Sequence, residues 1–447
     1  MTTLDTPTSL RVLLPGEDGW DADRGAFNLL VDQNPAMIAF PHSAVDVVTI
    51  VNFAKASGLR VAPQSTGHNA APLGSLEDTI LLKTSEMRGV DIDLAARRAR
   101  VQAGTRWEDV VPRASELGLA ALHGSSPDVG IVGYSLGGGM GWLARKYGLQ
   151  TNSVTAIELV TADGEQLRVD HDNEPELFWA LRGGGGNFGV VTAIEFDLYP
   201  VESFYAGSMF FPIDRAKEVL HAWHELTPSL PDEITSVGRV LSFPPLDIIP
   251  EIVRGQSFAI IEAAYLGDEA EGAELMRPIR ELGPVMDTFA VVPPVGLAEL
   301  HMDPREPIAG ITGHQLVGDL PAKAIDDMLD AAAIEPGSAL AMLELRHTGG
   351  AMSRSAEHHG AMATMAGSYA MFGGGPVFEP AMAVGVQAQL ALVHGALAPY
   401  DAGRYLNFVE EPHATEVAFP SDTHSRLVAA RAQYDPDGLF KANHEIG

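Results

Sequence analysis

Residues 182–191, Arg182-Gly183-Gly184-Gly185-Gly186-Asn187-Phe188-Gly189-Val190-Val191, decide how this chain is read. Four consecutive glycines join a helix-like run, Glu176 to Leu181, to a β-branched run, Val190 to Ile194. Consecutive glycines cost backbone entropy, so a folded chain keeps them where it turns at positive φ or approaches something closely. A second cluster lies upstream in Val129-Gly130-Ile131-Val132-Gly133-Tyr134-Ser135-Leu136-Gly137-Gly138-Gly139-Met140-Gly141. A third, Gln64-Ser65-Thr66-Gly67-His68-Asn69-Ala70-Ala71-Pro72-Leu73-Gly74-Ser75, ends a strand candidate. Three such loops imply an extended ligand lying against bare main chain. A nucleotide with a pyrophosphate meets that demand, because amide N–H groups and small side chains can crowd round it.

Bulk properties bound the rest. A chain of 447 residues implies two domains of roughly 200 residues each. An apolar content of 46% with 20% charged residues supports a sizeable core. The net charge of −30 argues against nucleic acid and anionic membrane surfaces as partners. With no cysteine, disulfides, thiolate metal sites and cysteine nucleophiles are excluded. Met1-Thr2-Thr3-Leu4-Asp5 lacks the basic and apolar regions of a signal peptide. No uninterrupted apolar run of about 18 residues is found, so no membrane span is expected. The expectation is a soluble cytoplasmic protein.

Strand and helix patterns alternate from Ala36. Met37 to Phe40 reads as a strand, Ser43 as the N-cap of a helix with Val47, Val48, Val51 and Ala54 on one face, and Gly58 as its stop. Arg60 to Pro63, Thr79 to Leu82 and Ala99 to Ala103 are further strands. Trp107 to Leu117 has helical apolar spacing, with Pro112 marking a kink or late start. Val154 to Val160 enters a hairpin at Asp163-Gly164 and Gln166 to Val169 returns. After Pro200 the texture changes. Helices such as Asp214 to Leu226 alternate with apolar stretches such as Phe258 to Tyr265, which implies an α+β unit with a sizeable sheet. A helix near Ser421 to Tyr434 closes the chain.

Several familiar motifs fail on detail. A Rossmann fingerprint needs G-x-G-x-x-G straight after a strand and an acidic residue about 20 positions on, which the Gly137–Gly141 spacing does not supply. No phosphate loop of the G-x-x-x-x-G-K-[ST] type occurs. Gly133-Tyr134-Ser135-Leu136-Gly137 matches a nucleophile elbow, yet its place in the glycine-rich loop argues against a hydrolase. Adjacent His358-His359 beside Glu357 lack the i, i+4 spacing of a zinc pair, and His221 and His224 lack a third ligand, so no metal is expected.

The ordered set of Gly67-His68, the Gly130–Gly141 and Gly183–Gly189 runs, Tyr405-Leu406-Asn407-Phe408, Tyr434-Asp435-Pro436 and Phe440-Lys441-Ala442-Asn443-His444 resembles the berberine-bridge-enzyme-like flavoproteins of the vanillyl-alcohol-oxidase superfamily. The resemblance covers nearly the whole chain, most strongly 35–200 and 400–447. It implies an α+β fold: a two-subdomain PCMH-type FAD-binding domain over 1–205 (core 33–200), and an α+β substrate domain over 206–398 with a large antiparallel sheet. It also implies a tail, 399–447, returning to the FAD domain. FAD is the implied cofactor, contacted by Ser65, Thr66, Gly67, His68, Asn69, Gly74 and Ser75 from the first loop. Ser126, Asp128, Val129, Gly130, Gly133, Tyr134, Gly137, Gly138 and Gly141 follow from the second, then Gly186, Gly189, Val190 and Val191, and finally Tyr405 and Asn407.

In that family the histidine matching His68 is joined covalently to the flavin. The usual R-S-G-G-H reads Gln64-Ser65-Thr66-Gly67-His68 here, losing an arginine and a glycine. Many relatives carry a second tether, a cysteine, where this chain has Ser126. A hydroxyl cannot supply the thiolate for a thioether, so the flavin is at most singly attached, with no cysteinyl link. Val129 falls where relatives control the approach of oxygen, and a small residue there leans toward an oxidase.

The resemblance also calls for a base near the flavin, its pKa tuned by burial and neighbours. Glu344 and Arg346 should share one face of a strand and His347 the other, either lining the substrate cavity or forming a surface ion pair. Tyr405 is a second candidate base, sharing a strand face with Asn407, and Tyr134 is placed to reach cavity or cofactor. The reading is an FAD-dependent oxidase of an alcohol, amine or phenolic small molecule that reduces O2 to hydrogen peroxide. The alternatives are a flavin-dependent dehydrogenase and a flavin-binding isomerase or cyclase of the same fold.

Overall fold

A computed structural model describes residues 10–447, Ile248 excepted, so the reading of Met1 to Asp5 and the first nine residues of the 1–205 segment lie outside the described residues. The first sheet has four strands in the order Arg11–Leu13, Met37–Phe40, Thr79–Lys83, Arg60–Gln64. Its last three strands are parallel, so a crossover is required between them. The helix Ala44–Ser57 supplies it, capped by Ser43, whose side chain accepts from the Asp46 amide, and stopped by Gly58 at φ 65. Val47, Ile50, Val51 and Ala54 pack onto the sheet.

The second sheet is antiparallel, in the order Val90–Asp93, Arg98–Gln102, Val190–Asp197, Val154–Val160, Gln166–Val169. Its hairpin turns at Gly164, φ 78. The helix Trp107–Glu116 runs on through Pro112 and buries Trp107, Val110, Val111 and Ala114 against this sheet. The late start that Pro112 allowed is not seen, since the helix already begins at Trp107.

Among the described residues the third sheet has nine strands: Met286–Asp287, Phe204–Pro212, Ser257–Tyr265, Ile234–Ser242, Met342–His347, Tyr369–Pro376, Gly310–Val317 and Asp401–Gly403, with Ala290–Val292 pairing beside Phe204–Pro212. The chain is thus α+β with a large antiparallel sheet. The helices Ala216–Leu226, Ala322–Ala332 and Pro380–Leu397 cover one face around Trp223, Ile325 and Leu390. Alternation sends Arg239, Glu262, Glu344 and Arg346 to the other face, where the register sets Arg239 opposite Glu344 and Val237 opposite both Glu262 and Arg346.

After Gly403 the chain leaves this sheet. Ser421–Tyr434 packs on Pro175–Gly184, and Phe440 bridges to Val61 of the first sheet.

Two expectations need correction. Residues after Arg404 do not continue as a strand: Leu406–Phe408 is a 3₁₀ turn, because the Tyr405 amide donates to His314 Nε2 and not to a ladder partner. The stretch Pro380–Tyr400 is long and apolar enough, at mean hydropathy 1.4, to cross a membrane by length and composition. Gln387, Gln389 and His394 interrupt it and hid it from a search for an unbroken run. One face of that helix, through Val386, Leu390, Val393 and Leu397, lies in the core.

Candidate active site

The three glycine-rich loops converge. In the first, the His68 ring stacks on Phe27 at 3.8 Å between centroids, with an interplanar angle of 17°. Its Nδ1 lies 2.8 Å from Thr66 Oγ1 and its Nε2 3.5 Å from Asp128 Oδ2. Ser126 Oγ donates to Asp128 at 2.7 Å. Burial alone would raise the Asp128 carboxyl, but the nearby His68 ring and the hydrogen bond from Ser126 outweigh it and hold the group below its ordinary value. Asn69 donates to Val409 O at 2.9 Å and accepts on its carbonyl from Asn443, tying this loop to the C-terminal segment. Gly74 and Ser75 sit at the exposed edge, where Lys441 reaches Ser75 O at 2.7 Å.

The second loop closes on Tyr405 and Asn407. A Cβ on Gly137 would collide with the Asn407 side chain, and one on Gly138, at φ 124, would come within 2.9 Å of the Tyr405 ring. That proximity lets the Tyr405 hydroxyl accept from the Gly139 and Met140 amides at 2.8 and 3.1 Å and from Asn407 Nδ2 at 2.9 Å. Asn407 Nδ2 also reaches Tyr134 O at 3.0 Å. Burial pushes the Tyr405 phenol up to about 12 despite these donors. Tyr134 turns its hydroxyl away, to Leu122 O at 3.1 Å, and its ring meets Trp107 edge-on. Gly130 abuts Ser65, Gly141 abuts the His123 carbonyl and Gly133 faces open space. Val129 is half-buried against the first core.

In the third loop Gly183 and Gly185 take φ 125 and 71. Gly189 nestles on Leu159, Gly186 meets nothing, and Val190 and Val191 pair with Val160 and Leu159. The sequence reading passed over Asn187. Its amide donates to Gly184 O and His444 O and accepts from the Ile446 amide, locking the turn to the tail. Around these loops His68 Nε2, Asn69 Oδ1, Ser135 Oγ, the Gln150 amide and His444 Nδ1 are buried without a hydrogen-bond partner. Buried polar atoms are ordinarily satisfied. Their clustering beside side-chain-free backbone fits a polar dinucleotide that completes them.

Above this floor the polar face of the nine-stranded sheet holds a buried charge network. Glu344 receives Arg346 Nε at 2.6 Å, and Arg239 reaches Glu262 at 2.5 Å. Between the two carboxylates stands His301, Nδ1 at 2.6 Å from Glu262 and Nε2 at 2.9 Å from Glu344. Burial and Arg239 push His301 down, but the two carboxylates overcome them and raise it to about 9. Burial would likewise raise Glu344, yet Arg346 and His301 hold it far below the usual carboxylate range. The His301–Glu344 contact is close without hydrogen-bond alignment, so Glu344 Oε2 keeps unused acceptor capacity. The surface ion-pair reading of Glu344 and Arg346 does not hold, because both lie inside this network.

Arg346 is the network's outlet. It lines a narrow cleft with Ser125, Met140, Trp142, Val237 and Met352, and its guanidinium sits 5.1 Å from the Phe408 ring, which in turn touches Tyr405. His347 turns to the other side of the strand, against Arg145 at 3.0 Å, where burial lowers it to about 3. His301 lies on an irregular loop that no periodicity marks. Arg239 and Glu262 did leave a signal, a lone charge inside an otherwise apolar strand.

Comparison with known proteins places these features. Residues 35–170 match the FAD binding domain family. The chain is 30% identical to the (R)-6-hydroxynicotine oxidase of Paenarthrobacter nicotinovorans, over 99% of this chain and 98% of that protein. It is 35% identical to the glucooligosaccharide oxidase of Sarocladium strictum over 41% of this chain and 37% of that protein. The crystal structure of 6-hydroxy-D-nicotine oxidase from Arthrobacter nicotinovorans superposes with a TM-score of 0.86 at 28% identity, covering 99% of both chains. The BBE-like 1 protein of Physcomitrella patens shares the fold, with a TM-score of 0.85 at 20% identity over 98% of this chain and 97% of that one.

Proposed function

Because the chain belongs to the berberine-bridge-enzyme-like FAD-linked oxidoreductases, we propose that it is an oxidase of a compact, largely apolar alcohol, amine or phenol, with O2 as electron acceptor and hydrogen peroxide as product. The observation that carries this reading is the cleft wall. Met140, Trp142, Val237 and Met352 surround Arg346, its one permanently charged lining residue among the described residues. Such a lining suits a flat, apolar body with a single electronegative atom, and offers few partners for the many hydroxyls of a sugar chain. The resemblance to a hydroxynicotine oxidase along the full chain supports the same class.

The flavin, when bound, supplies the two-electron acceptor. The protein's residues do the rest. Arg346, fixed by Glu344, binds the substrate's electronegative atom and stabilises charge developing there. Glu344, buried behind Arg346 and held ionised by Arg346 and His301, acts through the guanidinium, fixing its orientation toward the substrate. Tyr405, kept protonated by burial, holds its own proton available as a hydrogen-bond donor. Held by Thr66 and Asp128, His68 is positioned to tether the cofactor as the single covalent link. Trp142 and Met140 exclude water from the cleft.

The test is spectroscopic. Purified protein should be yellow, bleach anaerobically with a hydroxylated heteroaromatic amine or a phenol, and recolour in air with stoichiometric peroxide. Bleaching without recolouring would make the protein a dehydrogenase. Yellow protein that no substrate bleaches would leave a non-redox flavoprotein.

A further inference from the structure

A cavity of about 510 Å³ opens on residues that neither the cofactor loops nor the Arg346 cleft uses, apart from Arg182 at the head of the third loop. It lies between the helices Pro175–Gly184 and Ser421–Tyr434 and the loop 356–363, and its wall carries Arg182, Arg426, His171, His358 and His359. Glu357 and Asp422 line it as well, so what singles the cavity out is the state of one arginine and not its net charge.

Arg182 is the anomaly. It is 2% exposed, and its guanidinium packs 4.0 Å from the Phe178 ring. Only Nε is bonded, to Phe178 O at 3.2 Å, while Nη1 is buried with no partner. Among the described residues no carboxylate offsets the charge: burial alone acts on this group and lowers it to about 10. An unpaired buried guanidinium is among the costlier arrangements a fold can hold, and pairing with an oxyanion is its usual remedy.

The neighbouring acids do not serve. Glu176 is engaged by Arg426, which also lies 3.6 Å over the Trp179 ring. Asp422 accepts its own neighbour's amide, from Thr423. Asp170 is held by Arg168 and the Asn173 turn, and Glu357 lies exposed at the rim. His171, His358 and His359 complete the wall, with ring centroids 6.4 Å apart for the first two and 4.9 Å for the last two. Burial, Arg182 and His358 lower both His171 and His359. His359 donates its Nδ1–H to Ala363 O at 3.1 Å, so in the neutral form its Nε2 has no proton to offer, which leaves His171 as the lowered ring that presents an N–H to a ligand.

We infer that this cavity is a binding site for a small oxyanion, the carboxylate or phosphate of a metabolite, seated on the unpaired Arg182 guanidinium beside the His171 and His358 rings. The site also shares a wall with the candidate active site. Ala361 and Met362 donate to Trp179 O and Arg182 O, both at 3.1 Å. On its far side Met362 comes within 3.5 Å of the position a Cβ on Gly138 would take, beside Tyr405. An anion on Arg182 steadies the loop against which the Tyr405 turn rests. This inference is independent of the flavin chemistry.

The experiment is thermal unfolding of the purified holoprotein titrated with inorganic phosphate, with succinate, and with chloride at matched ionic strength. Saturable stabilisation by phosphate or succinate but not by chloride is expected; a response to one alone assigns the site to phosphoryl or to carboxylate ligands. Arg182→Gln should weaken that anion's Kd by about tenfold or more. Should that variant fail to fold, His358→Glu delivers a carboxylate from the rim; it should raise the melting temperature without ligand and cancel the response. A chloride effect equal to that of the oxyanions, no saturable effect of either, or an unchanged response in a folded variant overturns the assignment.

Discussion

The Tyr405 hydroxyl accepts the Gly139 amide at 2.8 Å, and Met140 and Asn407 add two more donors. These donors favour the phenolate, the form that could take a proton from substrate, but burial outweighs them. With burial lifting the group to about 12, Tyr405 stays protonated throughout the working range. Tyr405→Phe should therefore lower kcat by roughly 10²-fold, the size of a lost positioned donor, without moving the pH profile between about pH 6 and 9. Steady-state rates across that range check it; loss of a pH limb in the variant would restore Tyr405 as a base.

His301 carries the pH dependence of stability. Its folded pKa is raised from 6.5 to about 9, so its contribution is complete below the unfolded value and is lost as pH rises through the folded one. Denaturant unfolding should show stability falling between about pH 6.5 and 9, and His301→Gln should flatten that slope. The variant should also lose roughly 3 kcal/mol at neutral pH, since Glu262 and Glu344 would face each other with the shared cation gone.

For Arg346 the expected defect is in binding and rate together. Arg346→Met removes the cation from the cleft and leaves Glu344 buried with His301 alone. A drop of about 10²-fold in kcat/KM should follow, with Arg346→Lys recovering only part of it because the fork geometry is lost. Full activity in the methionine variant would show that substrate binds elsewhere.

Denaturing gels viewed under ultraviolet light test the tether. Wild-type bands should fluoresce and His68→Ala bands should not, while the native variant still holds flavin noncovalently. Asp128→Asn should slow attachment, because the carboxylate 3.5 Å from Nε2 orients the ring.

How much of this could be read from sequence follows from how local each signal is. Ser43 and Gly58 bound their helix by chemistry within a turn, and the three glycine loops announce themselves because bare backbone has few other uses. The Glu344–Arg346 pairing follows from strand alternation alone. His301 could not be found that way: its two carboxylates come from strands 39 and 43 residues distant, and only sheet register brings them together. The turn after Tyr405 was misread for the same reason, since its amide is claimed by His314, far away in sequence.

Gly137 offers the cleanest test of why the glycines are there. Its φ of −96 suits any residue, so Gly137→Ala introduces no backbone strain. The added methyl meets the Asn407 amide, which must swing away and give up its hydrogen bonds to Tyr134 O and the Tyr405 hydroxyl. A loss of about 2 kcal/mol is expected from those two bonds. If the methyl acts only through that amide, Asn407→Ala should cost a similar amount, and adding Gly137→Ala to it should cost almost nothing further. Additive losses in the double-mutant cycle would mean that Gly137 is required for some other close approach.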